Sequence, residues 1–132
     1  MYGITFKHKT DENFKEFLDS LGIGDVKVQA ILDTCPSQKL DKNGDDYVLT
    51  TSDCKKSKEL TFKNGVEFEE NVTENVTAKT TFTIDGDVLK QVQKFPDGRS
   101  LFIDRKFTDN TLLVTLKSSF WDGVAYRHYV AA

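Results

Sequence analysis

From residue 37 to the end of the chain, hydrophobic and polar residues alternate in short runs that predict β-strands. Such alternation places apolar side chains on one face of a strand and polar side chains on the other. The runs recur about every 8–12 residues, a spacing typical of a β-barrel or β-sandwich. The predicted strands span residues 37–42, 46–52, 58–64, 66–71, 76–84, 88–95, 99–107, 111–119 and 123–131.

Turn-forming pairs separate many of these runs, so neighbouring strands are expected to pair antiparallel. The pairs are Asn43-Gly44, Asn64-Gly65, Asp85-Gly86, Asp97-Gly98, Asp109-Asn110 and Asp122-Gly123. Tyr2 to Lys7 also alternates and adds a first strand. An open ten-stranded sheet would leave two long edges, which closure removes. We therefore predict an all-β fold, a ten-stranded antiparallel up-and-down barrel over residues 1–132, wide enough to enclose a cavity.

Two short helices are predicted between the first and second strands. The first carries an apolar stripe at helical spacing, formed by Phe14, Phe17, Leu18 and Leu21. Asn13 is expected to cap it, with Glu16 three residues later, and Gly22 to end it. Asp25 is expected to cap the second helix, which Pro36 stops. Helices in this position can form a lid over one end of the barrel.

Composition narrows the class of protein. Hydrophobic residues make up 38% of the chain, and ten Phe supply much of the predicted core. The net charge is −3, without a concentrated basic block, so nucleic acid is not an expected partner. The N-terminus lacks the apolar stretch of a secretory signal, and we expect a cytoplasmic protein. Cys35 and Cys54 are accordingly expected to be reduced thiols.

Motifs for catalysis or metal binding are not evident in the sequence. His8 and His128 lie far apart, and neither has a Cys or His at ligand spacing. The segment from Asp41 to Asp46 resembles the start of a calcium loop, but Asp46 stands where that loop needs Gly. We interpret the segment as a hairpin turn, and expect neither a cofactor, nor a metal, nor an enzyme.

The closing strand leaves two interpretations open. Ala125, Arg127 and Tyr129 share one face, and Arg105 occupies a similar strand upstream. In one interpretation both arginines point to water, as charged side chains usually do. In the other, Arg105, Arg127 and Tyr129 lie inside the barrel and hold an anionic head group. The alternation alone does not decide between them.

Several motifs together resemble the intracellular lipid-binding family of fatty-acid-binding and cellular retinoid-binding proteins. They are Asn13-Phe14 through Leu21-Gly22-Ile23-Gly24, Pro36 before the second strand, the hairpin from Phe62 to Glu70, Ile84-Asp85-Gly86, Gln91-Val92-Gln93-Lys94 and Arg127-His128-Tyr129. The resemblance spans nearly the whole chain and is greatest for the insect gut branch. The chain departs from the family at Phe6, where Trp is usual, and at His8, where an apolar residue is usual.

The resemblance implies a ten-stranded barrel with a two-helix lid and an internal carboxylate site. It implies that Arg105, Arg127 and Tyr129 hold the ligand and that Gln38, with its neighbour Lys39, lies near it. We expect Arg127 to be the main charge partner, because the Arg-x-Tyr spacing places Arg127 and Tyr129 on one side of the strand. The implied function is an intracellular, monomeric carrier of a long-chain fatty acid that contacts membrane surfaces transiently. A carrier of retinoic acid or another isoprenoid acid, and an enzyme acting on a lipid in the cavity, remain alternatives.

Overall fold

The computed structural model describes residues 1–53, 56–73 and 76–132, with the backbone alone at Thr73. It contains ten strands and two helices in this part of the chain. The strands are β1 (Thr5–Glu12), β2 (Ser37–Asn43), β3 (Asp46–Ser52), β4 (Ser57–Lys63), β5 (Phe68–Thr73), β6 (Val76–Asp85), β7 (Val88–Lys94), β8 (Ser100–Phe107), β9 (Thr111–Ser118) and β10 (Trp121–Ala131). The helices are α1 (Phe14–Ser20) and α2 (Asp25–Leu32).

The strands form one sheet in the order β4-β3-β2-β1-β10-β9-β8-β7-β6-β5, and the paired strands are antiparallel. The first and last strands pair with each other, which curls the sheet into a nearly closed barrel. The predicted architecture, with two helices between β1 and β2, is therefore confirmed. Backbone closure is incomplete, however, because β4 and β5 are the two ends of the sheet.

The first strand differs most from its prediction. It runs from Thr5 to Glu12, whereas Tyr2 forms only an isolated bridge with Leu40. The register with β10 shifts between His8 and Thr10, which marks a β-bulge. A bulge interrupts the alternation of inward and outward side chains, so the second half of the strand was not recognisable from its sequence pattern.

The predicted helices are present, and Asn13 is the N-cap residue of α1 as predicted, but the predicted side-chain capping is absent and the cap of α2 is wrong. Asn13 precedes α1 in a left-handed conformation, φ 59°, and its side chain makes no capping hydrogen bond. The amide Nδ2 of Asn13 instead donates to the carbonyl oxygen of Val124 at 3.3 Å. Gly24, not Asp25, is the residue before α2. The predicted end of the first helix is confirmed, since Gly22 follows α1 with φ 69°, a conformation that favours glycine.

The expectation of a reduced thiol is wrong for Cys35, which is disulfide-bonded in the structure. That expectation came from the presumed redox compartment. A disulfide depends also on whether the fold brings two sulfur atoms together, and the sequence pattern does not reveal this. Cys54, the other cysteine of the chain, lies outside the described residues.

Aromatic side chains fill much of the barrel interior. Phe6 and Phe82 are completely buried, and Phe6 packs edge-on against Phe107 with ring centroids 5.7 Å apart. Phe82 stacks on Phe62 at 4.4 Å and on Phe68 at 6.0 Å. No helix in the described residues is both long and apolar enough to span a membrane.

We predict that the amides of α2 exchange with solvent faster than those of β8 and β9. The helix buries only Val28, and Val26 is almost fully exposed. Segments with few buried apolar contacts open at low free-energy cost. Hydrogen–deuterium exchange of the free protein measures this, and α1, which buries three side chains, should be intermediate. Equal protection of α2 and the two strands would contradict the prediction.

Candidate functional site

Two buried arginines face the barrel interior on strands β8 and β10. Arg105 and Arg127 both lie opposite Val114 of β9, the strand between them. Because adjacent strands lie about 4.8 Å apart, their backbones are separated by roughly 10 Å. Arg105 is 7% exposed and Arg127 is 9% exposed. The outward interpretation of these arginines is therefore excluded.

Arg105 is held by neutral partners. Its Nε donates to Oε1 of Gln38 at 2.7 Å, and its Nη1 donates to Oε1 of Gln91 at 2.7 Å. Burial lowers the pKa of Arg105 to about 10, against weaker opposing effects of Tyr129, Glu70 and Asp104. The guanidinium remains charged at neutral pH. Among the described residues, no carboxylate forms an ion pair with it.

Arg127, in contrast, already has an anionic partner. Its Nε donates to Oδ1 of Asp11 at 2.9 Å. Its guanidinium carbon lies 4.0 Å from the ring centroid of Phe14 and 5.9 Å from that of Tyr129. The charge of Arg127 is thus compensated by a carboxylate and by two aromatic rings.

The bulge in β1 brings Asp11 to this position. His8 pairs with Tyr129, but after the bulge Thr10 pairs with His128 and Asp11 with Arg127. Without the extra residue, Thr10 would lie opposite Arg127. The Nε2 atom of His8 also lies 2.6 Å from Oδ1 of Asp11. One carboxylate oxygen therefore links the imidazole to the guanidinium.

A buried carboxylate forms a second polar cluster inside the barrel. Glu70 accepts hydrogen bonds at Oε1 from the hydroxyl of Thr80 at 2.8 Å and the amide of Gln93 at 2.9 Å. Lys58 of β4 donates to Oε2 of Glu70 at 3.4 Å and to the carbonyl oxygen of Asn71 at 3.2 Å. The cluster therefore also connects the two strands that end the sheet.

Four of the five residues predicted for the site lie inside the barrel. They are Gln38, Arg105, Arg127 and Tyr129. Lys39 follows Gln38 along β2 and so points to the other face of the strand. Its Nζ lies 3.6 Å from Oδ2 of Asp41, and its side chain is 41% exposed. The structure does not bring Lys39 together with the other four.

Sequence reasoning missed several polar residues of the interior. These are His8, Asp11, Glu70, Gln91 and Gln93. The spacing of Gln91 and Gln93 could have indicated that both share a face with the apolar Leu89. The position of Asp11 depends on the bulge, for which the sequence offers no clear signal.

An apolar cavity of about 270 Å³ opens at the helix end of the barrel. Its lining includes Leu21 and Ile23 between the helices, Val72 and Val76 of β5 and β6, and the inner residue Gln93. A larger and more polar groove of about 860 Å³ is lined by outward residues such as Lys9, Lys106 and His128 together with Asp11 and Tyr129, and by neither arginine. We therefore regard the smaller, apolar cavity as the mouth of the barrel interior.

The described residues contain no group of three or more His, Cys, Asp or Glu side chains arranged to hold a metal ion. The barrel interior instead combines a positive charge, amide groups and a phenol with apolar surface, and this environment suits an amphipathic anion. Arg105 contributes a guanidinium and Tyr129 a phenol. Such groups bind a carboxylate through charge-assisted hydrogen bonds.

Comparison with known proteins identifies the family. No family model matches the chain. It is 40% identical over 129 residues to fatty acid-binding protein 1 of Manduca sexta and 39% identical to fatty acid-binding protein 2 of the same species, covering 98% of this chain and 97% of each relative. The solved structure of a fatty-acid-binding protein isolated from Manduca sexta superposes with a TM-score of 0.90 at 37% identity, covering 98% of both chains. The chain belongs to the fatty-acid-binding protein family.

Proposed function

We propose that this protein carries one long-chain fatty acid inside its barrel, with the carboxylate at Arg105 and the alkyl chain against the aromatic interior. The observation that carries the proposal is Arg105, a buried cation whose hydrogen-bond partners are neutral amides. Its family relatives are named for fatty-acid binding. A bound carboxylate would supply the anion that this side chain lacks.

Arg105 is the first charge partner in this proposal because Arg127 is already paired with Asp11. The sequence had favoured Arg127 for this role. Tyr129 lies on the same strand face as Arg127 and near Arg105, on whose pKa it acts electrostatically. We therefore propose that the carboxylate lies between Arg105 and Tyr129, with Gln38 and Gln91 beside it. Lys39, on the outer face, is not included.

The alkyl chain supplies most of the binding free energy. Each buried CH₂ group contributes about 0.8 kcal/mol, and stacked rings such as Phe62, Phe68 and Phe82 offer apolar surface. Burying a charge without an opposite charge nearby is costly, so a neutral lipid would leave the desolvation cost of the Arg105 guanidinium uncompensated. The site should therefore prefer fatty acids to fatty alcohols.

We also propose that the protein releases its ligand unchanged, as a cytoplasmic monomeric carrier that meets membrane surfaces only briefly. The polar side chains around Arg105 are amides and a phenol, which are hydrogen-bonding groups without a paired nucleophile and base. Val26 of α2 and Val72 at the cavity mouth are exposed and offer apolar contact for such an encounter.

Ligand identification tests the proposal. Native mass spectrometry and organic extraction of the purified protein should recover a long-chain fatty acid in a ratio of one per chain. Titration calorimetry with oleate, oleyl alcohol and retinoic acid should rank oleate first. Preference for retinoic acid would assign the chain to the isoprenoid acids, and conversion of a bound lipid would indicate an enzyme. Failure to bind any of the three would contradict the proposal.

A further inference from the structure

The proposed function does not explain why a carboxylate lies beside one of the two inner arginines. Asp11 bonds to Arg127 at 2.9 Å and to His8 at 2.6 Å through the same oxygen. The β-bulge in β1 is what places it there. A fixed anion in a site for an anionic head group should reduce affinity, so its presence calls for a functional reason.

We propose that Asp11 is a built-in competing anion, which weakens the hold of Arg127 on a ligand carboxylate and thereby directs the head group to Arg105. This inference rests on the proposed function. The same competition accelerates ligand release, because a carboxylate that moves toward Arg127 meets a negative charge already in place. Asp11 is therefore a specificity-determining residue, although it donates no hydrogen bond to the ligand.

The geometry allows competition without physical blocking. Asp11 accepts one hydrogen bond, from Nε of Arg127. A guanidinium has five N–H donors, so its Nη groups can still reach a second carboxylate. Two carboxylates on one guanidinium lie only a few Å apart, and like charges repel strongly in a low-dielectric interior. Asp11 thus leaves N–H donors of Arg127 free to contact a ligand, but its negative charge weakens the attraction of Arg127 for a second anion.

Neighbouring side chains keep Asp11 in this position. His8 approaches from β1, and its ring packs edge-on against Tyr129 with centroids 5.5 Å apart. Phe14 covers the guanidinium of Arg127 at 4.0 Å and is itself buried. The carboxylate is therefore held between an imidazole and a guanidinium, which restrict its movement away from Arg127.

Replacing Asp11 with Asn tests the inference, because Asn preserves the shape of the side chain and removes its charge. We expect the dissociation constant for oleate to fall by roughly tenfold and the dissociation rate to slow. Affinity for oleyl alcohol should not change, since the alcohol has no charge to repel. A purely structural role of Asp11 predicts the opposite, a loss of affinity for both ligands.

The neighbouring acid provides a matched control. Glu12 is exposed, and its Oε2 lies 2.7 Å from Nε2 of His128 on the outer face. Glu12→Gln makes the same change in net charge and should leave oleate affinity unchanged. In an Arg127→Gln background, Asp11→Asn should no longer tighten binding, because its effect acts through Arg127.

Three results would overturn the inference. They are unchanged or weaker oleate binding by a folded Asp11→Asn variant, equal tightening for oleate and oleyl alcohol, and persistence of the effect without Arg127. If Asp11→Asn does not fold, Asp11→Ser removes the same charge with a smaller side chain and must meet the same criteria. A wild-type protein that binds no fatty acid would instead contradict the proposed function, so the two failures are distinguishable.

Discussion

Replacing Arg105 with Gln is expected to weaken oleate binding by about 30-fold to 4,000-fold. The estimate follows from the roughly 2–5 kcal/mol lost when one partner of a buried, hydrogen-bonded charge pair is truncated. In the variant, the ligand carboxylate would enter the interior without its main cation. Oleyl alcohol should lose much less affinity. Titration calorimetry with both ligands measures the difference.

The same substitution should not lower the stability of the free protein. Burial lowers the pKa of Arg105 from its usual range to about 10. A base whose pKa is lowered by folding binds its proton less tightly in the native state than in the unfolded state. Its charge therefore decreases the free energy of unfolding at neutral pH. Urea unfolding of ligand-free Arg105→Gln should accordingly give a midpoint no lower than that of the wild type.

Lys39→Gln is the matched control for this experiment. It removes one positive charge from β2 beside Gln38, but on the outer face. We expect little change in oleate affinity. Equal losses for oleate and oleyl alcohol in Arg105→Gln would indicate a packing defect, and a greater loss in Lys39→Gln would place the carboxylate elsewhere.

The strands were predictable where inward and outward residues alternate without interruption. The bounds predicted for β3, 46–52, match the structure, and those for β9 differ by one residue. The pattern failed in β1, where the bulge after His8 reverses the faces. The start of α1 was predicted correctly, but its side-chain cap was not, because Asn13 adopts a left-handed conformation that capping rules do not anticipate. The start of α2 was predicted one residue late, since Gly24 and not Asp25 is its N-cap residue.

The site was predictable to a lesser extent, since alternation fixes which residues share a face but not which face is inside. The resemblance to a known family supplied that choice for Arg105 and Arg127. Lys39 shows the limit of assigning residues by neighbourhood, because successive residues of a strand point to opposite faces. Asp11 depends on a bulge, and its pairing with Arg127 joins residues 116 positions apart.

Barrel closure was predicted to remove the edges of the sheet, and the structure achieves it mainly with side chains. Lys58 joins β4 to a carbonyl oxygen of β5. The side-chain oxygen of Asn64 accepts from the backbone amide of Ile84 at 2.9 Å. The amide of Gly65 donates to the carbonyl oxygen of Phe82 at 2.8 Å. These bonds connect the segment after β4 directly to β6, so that the closure depends on a few contacts.

The aromatic stack centred on Phe82 is the apolar part of this closure. Its ring contacts Phe62 of β4 at 4.4 Å and Phe68 of β5 at 6.0 Å between centroids. One side chain of β6 thus packs against both ends of the sheet where they lack a backbone ladder. Because β4 and β5 are not paired to each other, few other interactions could replace the stack.

Phe82→Ala is therefore expected to lower the free energy of unfolding by about 3–5 kcal/mol, the cost typical of truncating a buried Phe. Phe102→Ala is the matched control, because Phe102 is 39% exposed whereas Phe82 is completely buried. The control should lose about 1 kcal/mol or less. Urea unfolding of the two ligand-free variants measures both values. Similar losses in the two variants would mean that the stack contributes no more than a surface side chain, and that closure depends on the polar contacts of Lys58, Asn64 and Gly65.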